Sequence, residues 1–252
     1  QASGAPSFAL GPGTLYNFLM KKQAIVTGAS SGIGYATALQ LAQSSIQVLG
    51  VARREEELKQ LEQEHQNIHT IAVDLLEDQA YKKISQYYKK IKKIDYIVIS
   101  AGQAGPFMPL LDIDLINIKE TLSLDILSPL LLTQALSNYF NQTRLLFIGS
   151  YSAQIPRHNW GVYSIGKAAQ LMMARCLQKE NQRLQVGIFL PGAVQTAIYN
   201  SAVSKTTDVF PDQPAYQHFI DTNTVKTPEE CAANICEFLI NSSDDAFSKL
   251  KL

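Results

Sequence analysis

The chain has no charge bias: 22 basic residues face 22 acidic ones. Binders of a phosphate backbone ordinarily carry a basic excess or patch, so nothing here points to nucleic acid. No apolar run approaches the roughly 20 residues that a bilayer-spanning helix needs. The cysteines Cys176, Cys231 and Cys236 are odd in number and form no CxxC pair, which argues against a disulfide framework or a thiolate metal site. Free thiols in a chain of this size suit a reducing cytoplasm. The histidines His65, His69, His158 and His218 show no metal-ligand spacing. His65 and His69 are four apart but flank a turn signal at Gln66–Asn67, so no metal is expected.

What is present is apolar bulk and alternation. Of 252 residues, 46% are hydrophobic, enough for one large core. Residues 1–19, QASGAPSFALGPGTLYNFL, carry no charge and are rich in Gly, Ala, Pro and Ser. MKKQAIVTG follows, so 1–19 are expected to be an added leader and 20–252 the folded domain. A secretory signal would open on positive charge.

Short β-rich runs are QAIVT (23–27), IQVLGVA (46–52), IHTIAVD (68–74), DYIVIS (95–100), RLLFIGS (144–150) and LQVGIFL (184–190). Helical periodicity fills 32–43, 55–65, 77–91, 112–140, 161–181 and 227–241. Such alternation predicts an α/β domain, a doubly wound parallel sheet with helices on both faces. The strands are near-continuously apolar, as parallel strands covered on both sides should be. Ligands of such sheets bind beyond the carboxyl ends of the strands.

The first strand runs into TGASSGIG, with Gly28, Gly32 and Gly34. Glycines there permit a tight turn and close backbone approach, and the next helix turns its N-terminus toward a pyrophosphate. The second strand ends in Ala52, where an acid would hold a ribose 2′-hydroxyl; Arg53 and Arg54 follow. A guanidinium fork suits a 2′-phosphate, which favours NADP(H) over NAD. The competing reading is an exposed charge cluster opening a helix, where Glu55–Glu57 complement the dipole. Asp74, ending the third strand, is placed either to meet an adenine amine or to cap the next helix.

GVYSIGKAA puts Tyr163 and Lys167 at i and i+4, one face of a helix. Tyrosine is a poor acid–base group at neutral pH unless a cation beside it favours the phenolate. The pair then becomes a proton donor for a carbonyl that accepts hydride. Ser150, thirteen residues upstream at the end of the fifth strand, could polarise the same oxygen.

TGASSGIG, the Ser150-to-Tyr163 spacing, YSIGK and PGAVQT (191–196) together resemble the short-chain dehydrogenase/reductase family over about residues 20–240. The resemblance implies a Rossmann-type fold and hydride transfer between a nicotinamide and a carbonyl or alcohol carbon. It implies Tyr163 as acid–base, Lys167 as holder of the nicotinamide ribose, and Ser150 as a substrate contact. It further implies cofactor contacts from Ser30, Ser31, Ile33, Gly34, Leu75, Ser100, Ala101, Gly102, Pro191, Gly192, Val194 and Thr196, with Thr196 at the carboxamide. It also implies a homodimer or homotetramer packed through 112–140 and 161–181. The ending AFSKLKL looks closer to the sepiapterin reductase and benzil reductase branch, which reduces activated carbonyls with NADPH. The family's NAG after strand four is SAG here.

One segment sets a puzzle. TLSLDILSPLLLTQAL (121–136) carries Asp125 at the family's catalytic asparagine and Pro129 four residues on. Proline removes an i→i−4 hydrogen bond, freeing the carbonyl of residue 125. The resemblance implies that this carbonyl holds a water linking Lys167 to solvent. Asp125 is therefore expected to keep the relay role, against the alternative of a partnered structural acid.

Tyr199, Phe210, Tyr216 and Phe219, with Phe107, Met108, His158 and Trp160, are expected to wall a substrate pocket. No cluster of arginine or lysine marks it, so a small, apolar or dicarbonyl compound is favoured. The readings set against NADPH-dependent reduction of such a carbonyl are 3-oxoacyl reduction in lipid metabolism and a non-enzymatic NADP-binding regulator.

Overall fold

The computed structural model describes residues 20–249. The expected leader at 1–19 lies outside the described residues. Six parallel strands form one sheet: β1 Gln23–Thr27, β2 Gln47–Ala52, β3 Ile68–Ala72, β4 Ile94–Ile99, β5 Phe140–Ile148 and β6 Leu184–Phe189. Their spatial order is β3-β2-β1-β4-β5-β6. The order reverses between β1 and β4, and a crevice opens there at the carboxyl ends of the strands.

Alternate strand residues feed two cores. Ile25, Leu49, Ile97, Leu145 and Phe147 face one layer, with α3 (Asp78–Ile91), α5 (Ser128–Leu136) and α6 (Gly161–Glu180). Ala24, Val26, Val48, Val98 and Leu146 face the other, with α1 (Gly32–Gln43), α2 (Glu55–Glu64) and α9 (Pro228–Asn241). A sheet buried on both sides explains why the strands read as unbroken apolar runs.

Local chemistry sets the helix ends. TPEE opens α9 with a capping box: Glu230 N–H donates to Thr227 Oγ1 (3.2 Å) and Thr227 N–H donates to Glu230 Oε2 (2.8 Å). Pro228 occupies the first turn, where its missing N–H is not needed. The short α10 (Asp244–Ser248) buries Phe247 against Phe238, ring centroids 5.1 Å apart, under the Arg144 guanidinium.

The expected single helix over 112–140 is not one helix. A 3-10 turn (Leu110–Asp112) leads to α4 (Leu115–Leu122), a π-helical turn (Ser123–Leu127), α5 and a second 3-10 turn (Ser137–Tyr139). Pro129 marks the break. It sits in the first turn of α5, and the N–H before it, on Ser128, reaches back five residues to Ser123 O. Ser128 Oγ then donates to the Leu124 carbonyl (2.8 Å), which loses its ordinary α-helical partner. Proline in this place starts a segment rather than breaking one. Two short helices, α7 (Ala197–Val203) and α8 (Gln213–Asp221), lie in the stretch expected to form the substrate lid.

Candidate active site

The β1–α1 turn is shaped by contact with the end of β4. Gly28 has φ +69°, and a Cβ there would stand 2.9 Å from the Ala101 backbone. Thr27 Oγ1 accepts from the N–H groups of Ser100 and Ala101, each at 3.1 Å, and so fixes the SAG turn. Thr27 opens the TGASSGIG motif, but its hold on the SAG turn is visible only in the fold. Gly34 lies beneath the turn, where a Cβ would be 2.3 Å from Gly28 O. Ser31 makes no side-chain cap, and the first turn of α1 holds no acid. Its N–H groups are therefore left for an anion.

A cavity of about 910 Å³ begins at this turn and runs along the strand ends. Every residue expected at the cofactor lines it except Gly34, and Ser150 lines it too. At one end Arg54 donates through Nε and Nη2 to Ser30 Oγ (3.2 and 3.0 Å) and pairs with Glu57 (3.2 Å). Arg53 stands 3.7 Å from Asp74 Oδ2. Asp74 Oδ1 accepts from Leu76 N–H (3.0 Å), while Glu77 holds the cap position of α3, so the capping alternative for Asp74 falls. At the other end, the Pro191–Thr196 loop is pinned by pairing of Val194 with Lys226. Thr196 Oγ1 caps α7 by accepting from Tyr199 N–H (3.2 Å).

This donor set fits a dinucleotide phosphate. An uncapped helix N-terminus borders the cavity, and two guanidinium groups and a serine line it too. Tyr163 and Lys167 stand on α6, one turn apart and both buried. Lys167 Nζ lies 5.7 Å from the Tyr163 ring centroid. The indole of Trp160 stacks on Tyr163, centroids 4.4 Å apart and nearly parallel. Ser150 Oγ accepts from Ser152 N–H (3.1 Å), which leaves its own proton for a ligand.

Behind Lys167 is a closed polar cluster. Nζ donates to Gln170 Oε1 (3.1 Å) and to Ile148 O (3.5 Å), and stands 3.6 Å from Asp125 Oδ1. Gln170 Nε2 donates to the same Asp125 oxygen (3.4 Å). Asp125 is fully buried, in the π turn, and its Oδ2 has no hydrogen-bond partner. A Cβ at Gly166 would lie 2.5 Å from that Oδ2, so only glycine lets α6 press this close. Burial raises the Asp125 carboxyl above its ordinary pKa, and Lys167 works against the rise. Asp125 does not line the cavity; it reaches the reacting end only through Lys167. Gln170 was not legible as a site residue, although its place one turn beyond Lys167 is the available signal.

The expected aromatic wall is partly rearranged. Trp160, Tyr199, Tyr216 and Phe219 line the cavity. Phe210 and Phe107 do not; they pack against Trp160, at 5.5 and 4.7 Å between centroids, and fix its plane. Met108 and His158 are not in the lining either, and the His158 N–H is bonded to Asp212. Arg157, from the same loop, is in the lining and was passed over.

Comparison with known proteins agrees with this geometry. The family model for short chain dehydrogenases matches residues 22–207. An uncharacterised short-chain type dehydrogenase/reductase of Sinorhizobium fredii is 31% identical over 216 residues, covering 83% of this chain and 82% of that protein. The benzil reductase ((S)-benzoin forming) of Bacillus cereus is 28% identical over 187 residues, covering 68% of this chain and 75% of its own, which bears out the expected likeness to that branch. The crystal structure of the KRED1-Pglu enzyme superposes with a TM-score of 0.85 over 92% of this chain and all of that one, at 22% identity. The match over 22–207 takes in the glycine turn, the Tyr163–Lys167 helix and the Pro191–Thr196 loop, and the chain belongs to the short-chain dehydrogenase family.

Proposed function

We propose that the protein is an NADPH-dependent reductase of a small carbonyl compound with an apolar or dicarbonyl body, working in a reducing cytoplasm. The observation that carries this reading is the buried Tyr163–Lys167 pair on the wall of the large cavity that also receives the uncapped turn of α1. Preference for the phosphorylated cofactor is supported by Arg53, Arg54 and Ser30 converging where an acid would hold an unphosphorylated ribose. Likeness to a benzil reductase supports the substrate class.

A bound nicotinamide supplies hydride to the substrate carbon. The Tyr163 hydroxyl gives its proton to the carbonyl oxygen as negative charge develops there. The Lys167 ammonium balances the charge left on the phenolate oxygen. Ser150 donates its free proton to the same substrate oxygen and holds it within reach of Tyr163. Trp160 stacks on the phenol and keeps it at one angle. A spectrophotometric panel of diketones and aryl ketones tests the reading: carbonyl-dependent loss of NADPH is expected, and tight NADPH binding without turnover of any carbonyl contradicts it.

Asp125 and Gln170 are the far side of the relay that returns a proton to Tyr163 through Lys167. Pro129 cannot bond the Asp125 carbonyl, and the carboxyl itself lies within 3.6 Å of Nζ. Asp125→Asn keeps the shape and removes the ionisation. Because burial raises the Asp125 carboxyl, the wild-type kcat profile should inflect above the usual carboxylate range. That inflection should vanish in Asp125→Asn; superimposable profiles would assign Asp125 to structure alone.

The chain is further proposed to be a homodimer or homotetramer. Leu111, Leu115, Ile116 and Leu127 around α4, and Ile165 and Met172 on α6, are exposed apolar side chains. They form patches of the kind that a partner subunit covers. Light scattering should give at least twice the 27.9 kDa chain mass; a strict monomer would contradict this.

A further inference from the structure

We infer that Arg157 forms a carboxylate subsite beside the reacting centre, so that the preferred substrate is an oxo compound joining a carboxylate to an aromatic or apolar body. This deepens the carbonyl-reductase reading and rests on it. Arg157 lies in the loop between β5 and α6, and its carbonyl accepts from Trp160 N–H (3.2 Å), which ties it to the residue stacked on Tyr163. It lines the cavity together with Tyr163, Trp160, Ser152 and Tyr216.

Arg157 forms no ion pair among the described residues, and its Nε is buried without a hydrogen-bond partner. What positions it is the face of Tyr216, 5.8 Å from the guanidinium carbon to the ring centroid. Burial raises the Tyr216 hydroxyl above its ordinary pKa, and the Arg157 cation works against the rise. Trp160 joins the two ends: it stacks on Tyr163 and lies 6.0 Å from Tyr216 between centroids. A buried Nε left unpaired is costly, and a carboxylate entering from the cavity would pair with the guanidinium.

The charge count favours a carboxylate over a phosphate. Lys205, the other cation of this region, is held over the Phe107 ring at 5.4 Å and does not line the cavity. Lys167 is engaged by Gln170 and Asp125. One free guanidinium balances one monoanion. Two acids of this region do not pair with Arg157: Asp212 accepts from His158 N–H, and Glu120 lines the cavity with its side chain exposed.

The test compares an acid with its neutral ester: benzoylformate against methyl benzoylformate, with NADPH as reductant. In the wild type kcat/KM should favour benzoylformate by about tenfold or more, the worth of one charged hydrogen bond. Arg157→Gln should cut kcat/KM for benzoylformate by about 100-fold, mainly through KM, and move the ester by less than about threefold. Arg157→Lys should restore part of the loss. A structural arginine would instead lower both substrates together. That result, or an ester used as well as the acid by the wild type, overturns the subsite. If neither compound is reduced, the reductase reading fails for this class, and binding still decides the subsite. The chain has a single tryptophan, Trp160, so its fluorescence in NADP⁺-loaded protein reports occupancy. Quenching by benzoylformate in the wild type but not in Arg157→Gln supports the subsite; equal or absent quenching in both overturns it.

Discussion

Tyr163→Phe should lower carbonyl-dependent kcat by about 10³-fold, within the range that a positioned general acid contributes. NADPH affinity should stay within about twofold, since the change removes one oxygen and no charged contact to the cofactor. The reason lies in the packing. Phenylalanine keeps the ring that Trp160 stacks against at 4.4 Å, so the wall of the cavity survives. Lys167 keeps its bonds to Gln170 and Ile148 O, because none of them involves Tyr163. Stopped-flow oxidation of NADPH with equilibrium binding checks both halves. A variant with full activity would remove Tyr163 from the mechanism; a variant that also lost NADPH would show that the phenol serves binding rather than proton transfer.

The second large effect concerns the adenosine end. Arg53→Ala with Arg54→Ala should lower the ratio of kcat/KM for NADPH over NADH by about 10²-fold or more, since each charged hydrogen bond is worth about 1.5–3 kcal/mol. Arg54 is pre-positioned by Ser30, so it gives up little freedom on meeting a phosphate. Arg53 is more loosely held: its pairing with Asp74 is exposed and 3.7 Å long, and such pairs contribute little. Arg53→Ala alone should therefore erode the preference less than the double change. Steady-state kinetics with both cofactors reads this directly. Equal use of NADH by the wild type would contradict the assignment of the arginines.

The sequence carried the frame because local and global signals agreed along it. QAIVT and 32–43 coincide with β1 and α1, since the glycines of TGASSGIG mark the boundary between them. The periodicity over 227–241 coincides with α9, whose capping box is set by TPEE. Agreement broke where a tertiary choice decided the backbone. In 121–136 the apolar pattern fits one helix, and nothing local says that Ser128 N–H will reach Ser123 rather than Leu124. The π turn that buries Asp125 follows from that choice. The lid helices α7 and α8 are short, and their apolar residues serve the pocket rather than a regular face. TGASSGIG contains Thr27 without showing what its hydroxyl holds, and Gln170 and Arg157 lack motif context. Each becomes meaningful through a neighbour distant in the chain: Ala101, Asp125 and Tyr216.

These placements also resolve the acid–proline pair. Pro129 starts α5 rather than interrupting a helix, and Asp125 is buried with a lysine and a glutamine instead of alone. Its Oδ2, buried against Gly166, has no hydrogen-bond partner and is costly to hold there as an anion.

The central claim is hydride transfer from NADPH to a carbonyl carbon in this cavity. Its most direct measurement uses NADPH deuterated at C4 on each face in turn, with the product alcohol read by mass spectrometry. One face should deliver one deuterium to the carbinol carbon per NADPH consumed, and the other face none. Product alcohol free of label from both cofactors, or the absence of any alcohol despite bound NADPH, would contradict the account.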